Sequence, residues 1–198
     1  MKKFLVLCAM AVMPLFAETN VLVFAGSLRE GSYNKKLAQE AARSAREMGA
    51  RVTFIDLKDF PMPFYDADLE ASIGLPKNAK RLRDLMIASD VVMIATPEYN
   101  HSIPAVLKNT LDWASRSETG GGSRQAFKGK KFGIMSAAAG GSGGAGALDH
   151  LRAILEDCGG TVVQAQVGVA STYETGALEK ESVLAQLQIQ LQQVLHIK

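Results

Sequence analysis

The sequence has almost no cysteine, only Cys8 and Cys158. Two thiols cannot build the disulfide framework of a small secreted domain or a four-ligand zinc site. It also lacks an excess of either charge, because 22 Lys and Arg face 20 Asp and Glu, a formal net charge of +2. Without a basic surplus nothing drives binding to a phosphate backbone, which excludes a dedicated nucleic-acid binder. Apolar residues are not scarce: 47% hydrophobic and 21% charged are globular values that exclude wholesale disorder. A chain of 198 residues fits one domain with a self-sufficient core.

Long hydrophobic runs are missing too, except at the start. Phe4 to Phe16 follows Lys2-Lys3 and ends at Ala17, ahead of the polar Glu18-Thr19-Asn20. The run falls short of the ~20 residues that span a bilayer. A basic start, a short apolar stretch and a small last residue form a secretory-signal pattern over residues 1–17. An added N-terminal strand, or translation starting at Met10 or Met13, would account for the same residues, and Leu15 is large for the position two before a cut. Without residues 1–17 the body 18–198 holds 20 basic and 20 acidic residues. No other segment reads as transmembrane.

That body alternates apolar strands with amphipathic helices. Val21 to Ala25, Arg51 to Leu57, Val91 to Ala95, Lys131 to Ala137 and Thr161 to Val169 read as strands. Helical spacing recurs through Leu37, Ala38, Ala41, Ala42, Ala45 and Met48, then through Leu82, Leu85 and Met86. A third helix opens at Pro104, a fourth carries Leu148, Leu151, Ile154 and Leu155, and Leu184, Leu187, Leu191 and Leu195 line the last. Five strands alternating with five helices imply one α/β domain: a parallel sheet with right-handed crossovers and both faces covered. Segment 117–130, with Gly120-Gly121-Gly122, is expected to be a flexible surface loop. In such sheets ligands sit beyond the carboxyl ends of the strands, so function is expected in residues 26–34, 96–104 and 138–146.

The first of these loops, Gly26-Ser27-Leu28-Arg29-Glu30-Gly31-Ser32-Tyr33-Asn34, joins a strand to a helix. It offers hydroxyls, an amide, a guanidinium and free N–H groups at a helix N-terminus, which are the donors a phosphate needs. A capped turn with a solvated Arg would use the same residue types. Neither Gly-x-x-x-x-Gly-Lys-Ser/Thr nor, in this turn, Gly-x-Gly-x-x-Gly is present, so a mononucleotide phosphomonoester fits better than a triphosphate or a dinucleotide.

The second loop, Pro97-Glu98-Tyr99-Asn100-His101-Ser102-Ile103-Pro104, is stiffened by its prolines, and Tyr99 can pack on an aromatic ligand. Gly26-Ser27-x-Arg29-x-x-Ser32-x-Asn34 followed by Pro97-Glu98-Tyr99-Asn100-x-Ser102-x-Pro104-x-x-Leu107-Lys108-Asn109-x-x-Asp112-Trp113 resembles the NADPH-dependent FMN reductase family. That family includes bacterial quinone, chromate and azo-dye reductases. The resemblance spans about residues 20–198. It implies a flavodoxin-like three-layer fold, a five-stranded parallel sheet of order 2-1-3-4-5, with FMN bound and NADPH as co-substrate. By the same resemblance Ser27, Arg29, Ser32 and Asn34 would hold the FMN phosphate, with Tyr33 also at the cofactor. Pro97, Glu98, Tyr99 and Asn100 would line the ribityl chain and ring edge, largely through backbone. His101 is expected to be a shape or solvent contact, and Trp113 a packing or subunit-contact residue.

The third loop, Ala137 to Gly146, mimics two other motifs. Gly141-x-Gly143-x-x-Gly146 imitates a dinucleotide fingerprint, but no Asp or Glu follows at the ribose position, where Gln164 and Gln166 stand. Gly140-x-Ser142-x-Gly144 imitates a nucleophile elbow, with Asp157 or Glu174 and then His196 following in order. The preferred reading is backbone amides, including those of Ala137, Gly140 and Gly143, packed around the flavin's pyrimidine side. Members of the family often carry Ser or Thr where Ala137 and Ala138 stand, and Arg where Gly146 stands.

The expected activity is hydride transfer from NADPH through FMN to quinones, flavins, azo or nitro compounds or metal oxyanions, with no side-chain catalyst required. Two other readings compete: an electron-transfer flavodoxin, against which Arg29 and the neutral body weigh, and a serine hydrolase using Ser142. The resemblance further implies a homodimer or homotetramer. Compartment is set by opposing features: residues 1–17 point to export, whereas the family and its nicotinamide donor are cytoplasmic.

Overall fold

A computed structural model describes residues 18–195. The signal-like segment 1–17, with Cys8, and His196 lie outside the described residues. The strands are β1 (Asn20–Ala25), β2 (Arg51–Asp56), β3 (Val91–Thr96), β4 (Lys131–Ala137), β5 (Thr161–Val162) and β6 (Val167–Val169). The helices are α1 (Tyr33–Glu47), α2 (Ala67–Ile73), α3 (Lys77–Ile87), α4 (Ala105–Ala114), α5 (Ala145–Asp157) and α6 (Glu181–Leu195). All strand pairs are parallel, in the order β2-β1-β3-β4-β5, with β6 also beside β4. This is the flavodoxin-like order expected from the sequence.

The strand period of two separates the core into two layers. Val21, Val23 and Ala25 of β1 face α1 and α6, while Leu22 and Phe24 face α3, α4 and α5. On α1 the buried residues Leu37, Ala38, Ala41, Ala42 and Ala45 follow the helical repeat, and their small size lets the helix lie close on the sheet. Every residue of β3 is buried, as a central strand covered on both faces requires.

Four local expectations change. The single strand expected over Thr161–Val169 is two short ones, because side chains replace the ladder between them. Gln193 Oε1 accepts from Ala165 N–H, and Gln190 Nε2 donates to the carbonyls of Ile134 and Ala165. Leu184 is exposed, and the inward stripe of α6 is Val183, Leu187, Leu191 and Val194 around the buried Gln190. Segment 117–130 is a loop but does not stay at the surface, since Ala126 and Phe127 are fully buried and Phe127 stacks on Phe132. The unforeseen helix α2 starts where the Asp66 carboxylate accepts from the N–H groups of Asp68 and Leu69.

The strap between β2 and α2 is fastened across α4. The Pro63 carbonyl accepts from Asn109 Nδ2 at 2.9 Å and Trp113 Nε1 at 2.8 Å, and Tyr65 N–H donates to Asn109 Oδ1 at 2.7 Å. Trp113 is therefore a packing residue, as expected. Buried Glu70 pairs with Arg116 at 2.7 Å, and that guanidinium holds its carboxyl below the usual carboxylate range.

Candidate active site

At the carboxyl ends of the strands the chain forms a cleft of about 490 Å³. It is lined by Ser27, Arg29, Ser32, Tyr33 and Asn34 from the first loop, and by Pro97, Glu98 and Tyr99 from the second. Ala137, Ala138 and Ala139 follow from the end of β4, with Thr172 and Tyr173 from the segment after β6. Nine of the twelve residues expected at the site line it; Asn100, Gly140 and Gly143 do not. Ala138, Ala139, Thr172 and Tyr173 were missed.

The first loop leaves β1 at Gly26, whose N–H still donates to Ala95 of β3. A side chain at position 26 would press on Leu107 of α4, 2.8 Å from where a Cβ would sit. Ser27 Oγ then accepts from Arg29 N–H, folding the loop back so that α1 opens beside the cleft. The N-cap, Ser32, makes no side-chain cap bond. Among the described residues the first-turn N–H groups of Tyr33, Asn34 and Lys35 have no partner, and the exposed Arg29 guanidinium has neither an ion pair nor a hydrogen bond. Unpaired amides, a hydroxyl and a free guanidinium at one helix N-terminus suit a phosphate.

Asn34 has a structural task beyond the one expected. Its amide is buried and bonded in both directions to one residue, Nδ2 donating to the Ala137 carbonyl and Oδ1 accepting from Ala137 N–H, each at 2.8 Å. One Nδ2 hydrogen and the backbone N–H are left over on the cleft-lining residue. Asn34 also ties α1 to the end of β4. For the same reason Ala137 N–H is not free for a ligand, and Ala138 N–H donates to Val169. Ala139 N–H is the first floor amide without a partner among the described residues.

The second loop is a tight hairpin. Tyr99 and Ser102 exchange both backbone hydrogen bonds, at 2.9 and 3.1 Å, across Asn100 and His101. Those two central residues have φ of 50° and 63°, the left-handed region that such turns demand and Asn tolerates. Asn100 thus shapes the turn and does not line the cleft. The exposed His101 ring lies against Gly146 of α5, where an added Cβ would come within 2.6 Å of it. Glycine at this position makes room for that ring, and His101 is a shape contact. Glu98 does more than its backbone was expected to: its carboxylate accepts from Ala147 N–H at 3.1 Å, in the first turn of a helix whose own N-cap is the bare Gly144.

Gly143 and Gly144 of the third loop are packing residues, whereas Gly140 and Gly141 have open space where a side chain would start. Gly143 has a φ of 61° and lies against the Gly168 backbone, and Gly144, with a φ of 82°, leaves no room for a Cβ over Ser136 Oγ. Gly140 contributes its carbonyl to Ser171 N–H. Ser142 Oγ has Glu98 Oε1 and Gly144 N–H as neighbours, at 3.5 and 3.4 Å. Among the described residues no imidazole activates it, since His150 bonds to Ser102. Near its end α6 receives Lys131 Nζ, from the amino end of β4, at the Gln193 carbonyl. The described end of that helix is therefore remote from Ser142, and among the described residues the hydrolase reading has no base.

A helix terminus with unpaired amides at the β1–β3 switch point of a 2-1-3-4-5 sheet is the arrangement of a flavodoxin-like protein. A model of the NADPH-dependent FMN reductase family matches residues 19–174, and the chain belongs to that family of oxidoreductases, with FMN as cofactor and NAD(P)H as donor. It is 41% identical over 138 residues, 70% of each chain, to an NAD(P)H-dependent FMN reductase of Pseudomonas aeruginosa. It is 37% identical over 138 residues, 68% of each chain, to a quinone reductase of Escherichia coli K12. Among solved structures it is similar to FerB, a flavoenzyme NAD(P)H:(acceptor) oxidoreductase from Paracoccus denitrificans. The two share 28% identity and a TM-score of 0.63, over 89% of this chain and 98% of that one.

Proposed function

We propose that the cleft holds FMN and that the protein passes electrons from NAD(P)H to quinones or other small acceptors, such as flavins, azo and nitro compounds or metal oxyanions. The unpaired amides of Tyr33, Asn34 and Lys35 beside the free Arg29 guanidinium carry this reading. They supply a dianion with several donors and a charge without displacing any protein partner. The alanine floor, Ala137 to Ala139, leaves space for a flat ring system, with Ala139 N–H as a donor at its edge. Bound FMN supplies the centre that takes up hydride and gives up electrons. The residues around it therefore bind, orient and exclude; none needs to act as acid or base. The open cleft would admit donor and acceptor in turn, which gives ping-pong kinetics.

Reconstitution of flavin-free protein, followed by chromatography of the cofactor released, tests this. FMN should be retained in preference to FAD, and NAD(P)H oxidation should then depend on added quinone. Tightly bound FAD, or no flavin affinity, overturns the reading. A homodimer or homotetramer is part of the same proposal; the exposed Leu28 and Phe64 support a covered surface. Light scattering showing a fully active monomer would remove it. Residues 1–17 are proposed to be dispensable for flavin binding and to direct export. N-terminal sequencing of the native protein decides the second point: a start at Glu18 supports it, whereas an intact Met1 in the soluble cytoplasmic fraction overturns it.

A further inference from the structure

Three of the chain's four tyrosines, Tyr33, Tyr99 and Tyr173, line the one cleft. They are 37%, 49% and 73% exposed, so none is there to fill the core. Tyr33 carries Lys36 Nζ at 5.2 Å from its ring centre, while Tyr99 and Tyr173 have no aromatic or cationic partner among the described residues. Tyr99 belongs to the second loop, already expected at the cofactor. Tyr173 follows β6 and lies in a stretch that no sequence motif marks.

The backbone holds Tyr173 where it is at some cost. Two residues earlier Ser171 has a φ of 53°, a conformation that a residue with a Cβ rarely adopts. It is kept there by Ser171 N–H donating to Gly140 and Thr172 N–H to Ala138, and by Glu174 N–H closing the turn on Ser171. Thr172 is buried, and the next residue, large and mostly exposed, lines the open cleft. In the sheet, β4 lies between β3, which leads to Tyr99, and β6, which leads to Tyr173. The segments that carry the two rings therefore stand on either side of the Ala137–Ala139 floor, and Thr172, next to Tyr173, is bonded to that floor. A mostly exposed aromatic in such a place gains from a ligand's flat face what the protein does not give it.

We propose that Tyr173 is the acceptor-selecting wall of the site. It stacks on flat aromatic acceptors of the quinone class as they enter over the alanine floor, and so favours them over compact inorganic acceptors. The proposal rests on the FMN-reductase reading above. One aromatic contact of this kind is worth about three- to tenfold in affinity.

The test uses full-length, FMN-loaded protein carrying Tyr173→Ala or Tyr173→Phe. Calorimetric titration of the oxidised protein with anthraquinone sulfonate, without any donor, should show binding weakened about three- to tenfold by Tyr173→Ala and restored by Tyr173→Phe. In turnover, kcat/KM for menadione relative to ferricyanide should fall by the same factor in Tyr173→Ala, through KM for menadione. An unchanged affinity for anthraquinone sulfonate overturns the proposal, as does an equal loss with both acceptors. So does an FMN affinity that drops by the same factor, since Tyr173 would then serve the cofactor. FMN titration of the wild-type apoprotein reads the underlying assignment separately: if no FMN binds there, the functional reading fails and this proposal falls with it.

Discussion

After the loop from Gly26 to Asn34 the opening amides of α1 have no protein partner and no carboxylate among the described residues, whereas the opening of α5, after the loop from Ala138 to Gly146, already holds the Glu98 carboxylate. Ala138 bonds Val169 and Thr172, Gly140 bonds Ser171, and the first turn of α5 beyond it is capped by Glu98. The helix opening that follows the glycine-richer loop is thus the less available one to an anion. That loop's glycines permit close approach to Ser136, Gly168 and His101, and the first loop, with only Gly26 and Gly31, keeps its donors for a ligand. Glycine content does not report where an anion can bind; a helix opening does, where its amides are unpaired and no carboxylate already caps it.

The sharpest way to break this contrast is to load the third loop with a side chain. Gly144→Ala would place a Cβ on Ser136 Oγ in a left-handed conformation. Overpacking together with that conformational cost should lower stability by about 3–5 kcal/mol, read by urea denaturation. A loss below about 1 kcal/mol would mean that the loop is not packed as described.

Asn34→Ala comes next. It leaves the buried N–H and C=O of Ala137 unpaired, which should cost about 3 kcal/mol of stability. Urea midpoints of the apoprotein check this; normal stability with lost FMN binding would return Asn34 to the phosphate site. Arg29→Ala should do the opposite. An exposed guanidinium without a protein partner contributes little to folding, so stability should stay within about 0.5 kcal/mol. FMN affinity should weaken by about 1.5–3 kcal/mol, the range for a charge-assisted bond, measured by fluorescence titration. The smallest effect belongs to Ser142→Ala: its two contacts are long, so stability should change by no more than about 0.5 kcal/mol, with quinone reduction retained. Collapse of turnover in that variant would give the hydroxyl a direct role.

Much of the scaffold was legible because it is local or periodic. Strand runs such as Val91 to Ala95 and the 3.6-residue repeat of α1 show in the residues alone, and Pro76 and Pro104 mark two helix starts. The Asp66 cap of α2 was also a readable signal that went unused. The split of the fifth strand was not readable, because the groups that replace its ladder are Gln190 and Gln193 of α6. Nothing near residue 165 announces a glutamine from a helix that begins at Glu181.

The same division runs through the site. The sequence alone determined which strand ends line the cleft and marked Ser27, Arg29 and Ser32, because a donor-bearing turn between a strand and a helix is a local pattern, while the family resemblance added Tyr33, Pro97, Glu98 and Tyr99. What each side chain does with its hydrogen bonds is not local. Asn34 meets Ala137 across 103 residues, and the Glu98 carboxylate meets α5 across 49. Thr172 and Tyr173 reach the cleft only because β6 pairs with β4. Only the tertiary structure decided which polar groups were already satisfied, and an N–H or amide can serve a ligand only where the fold has left it without a partner.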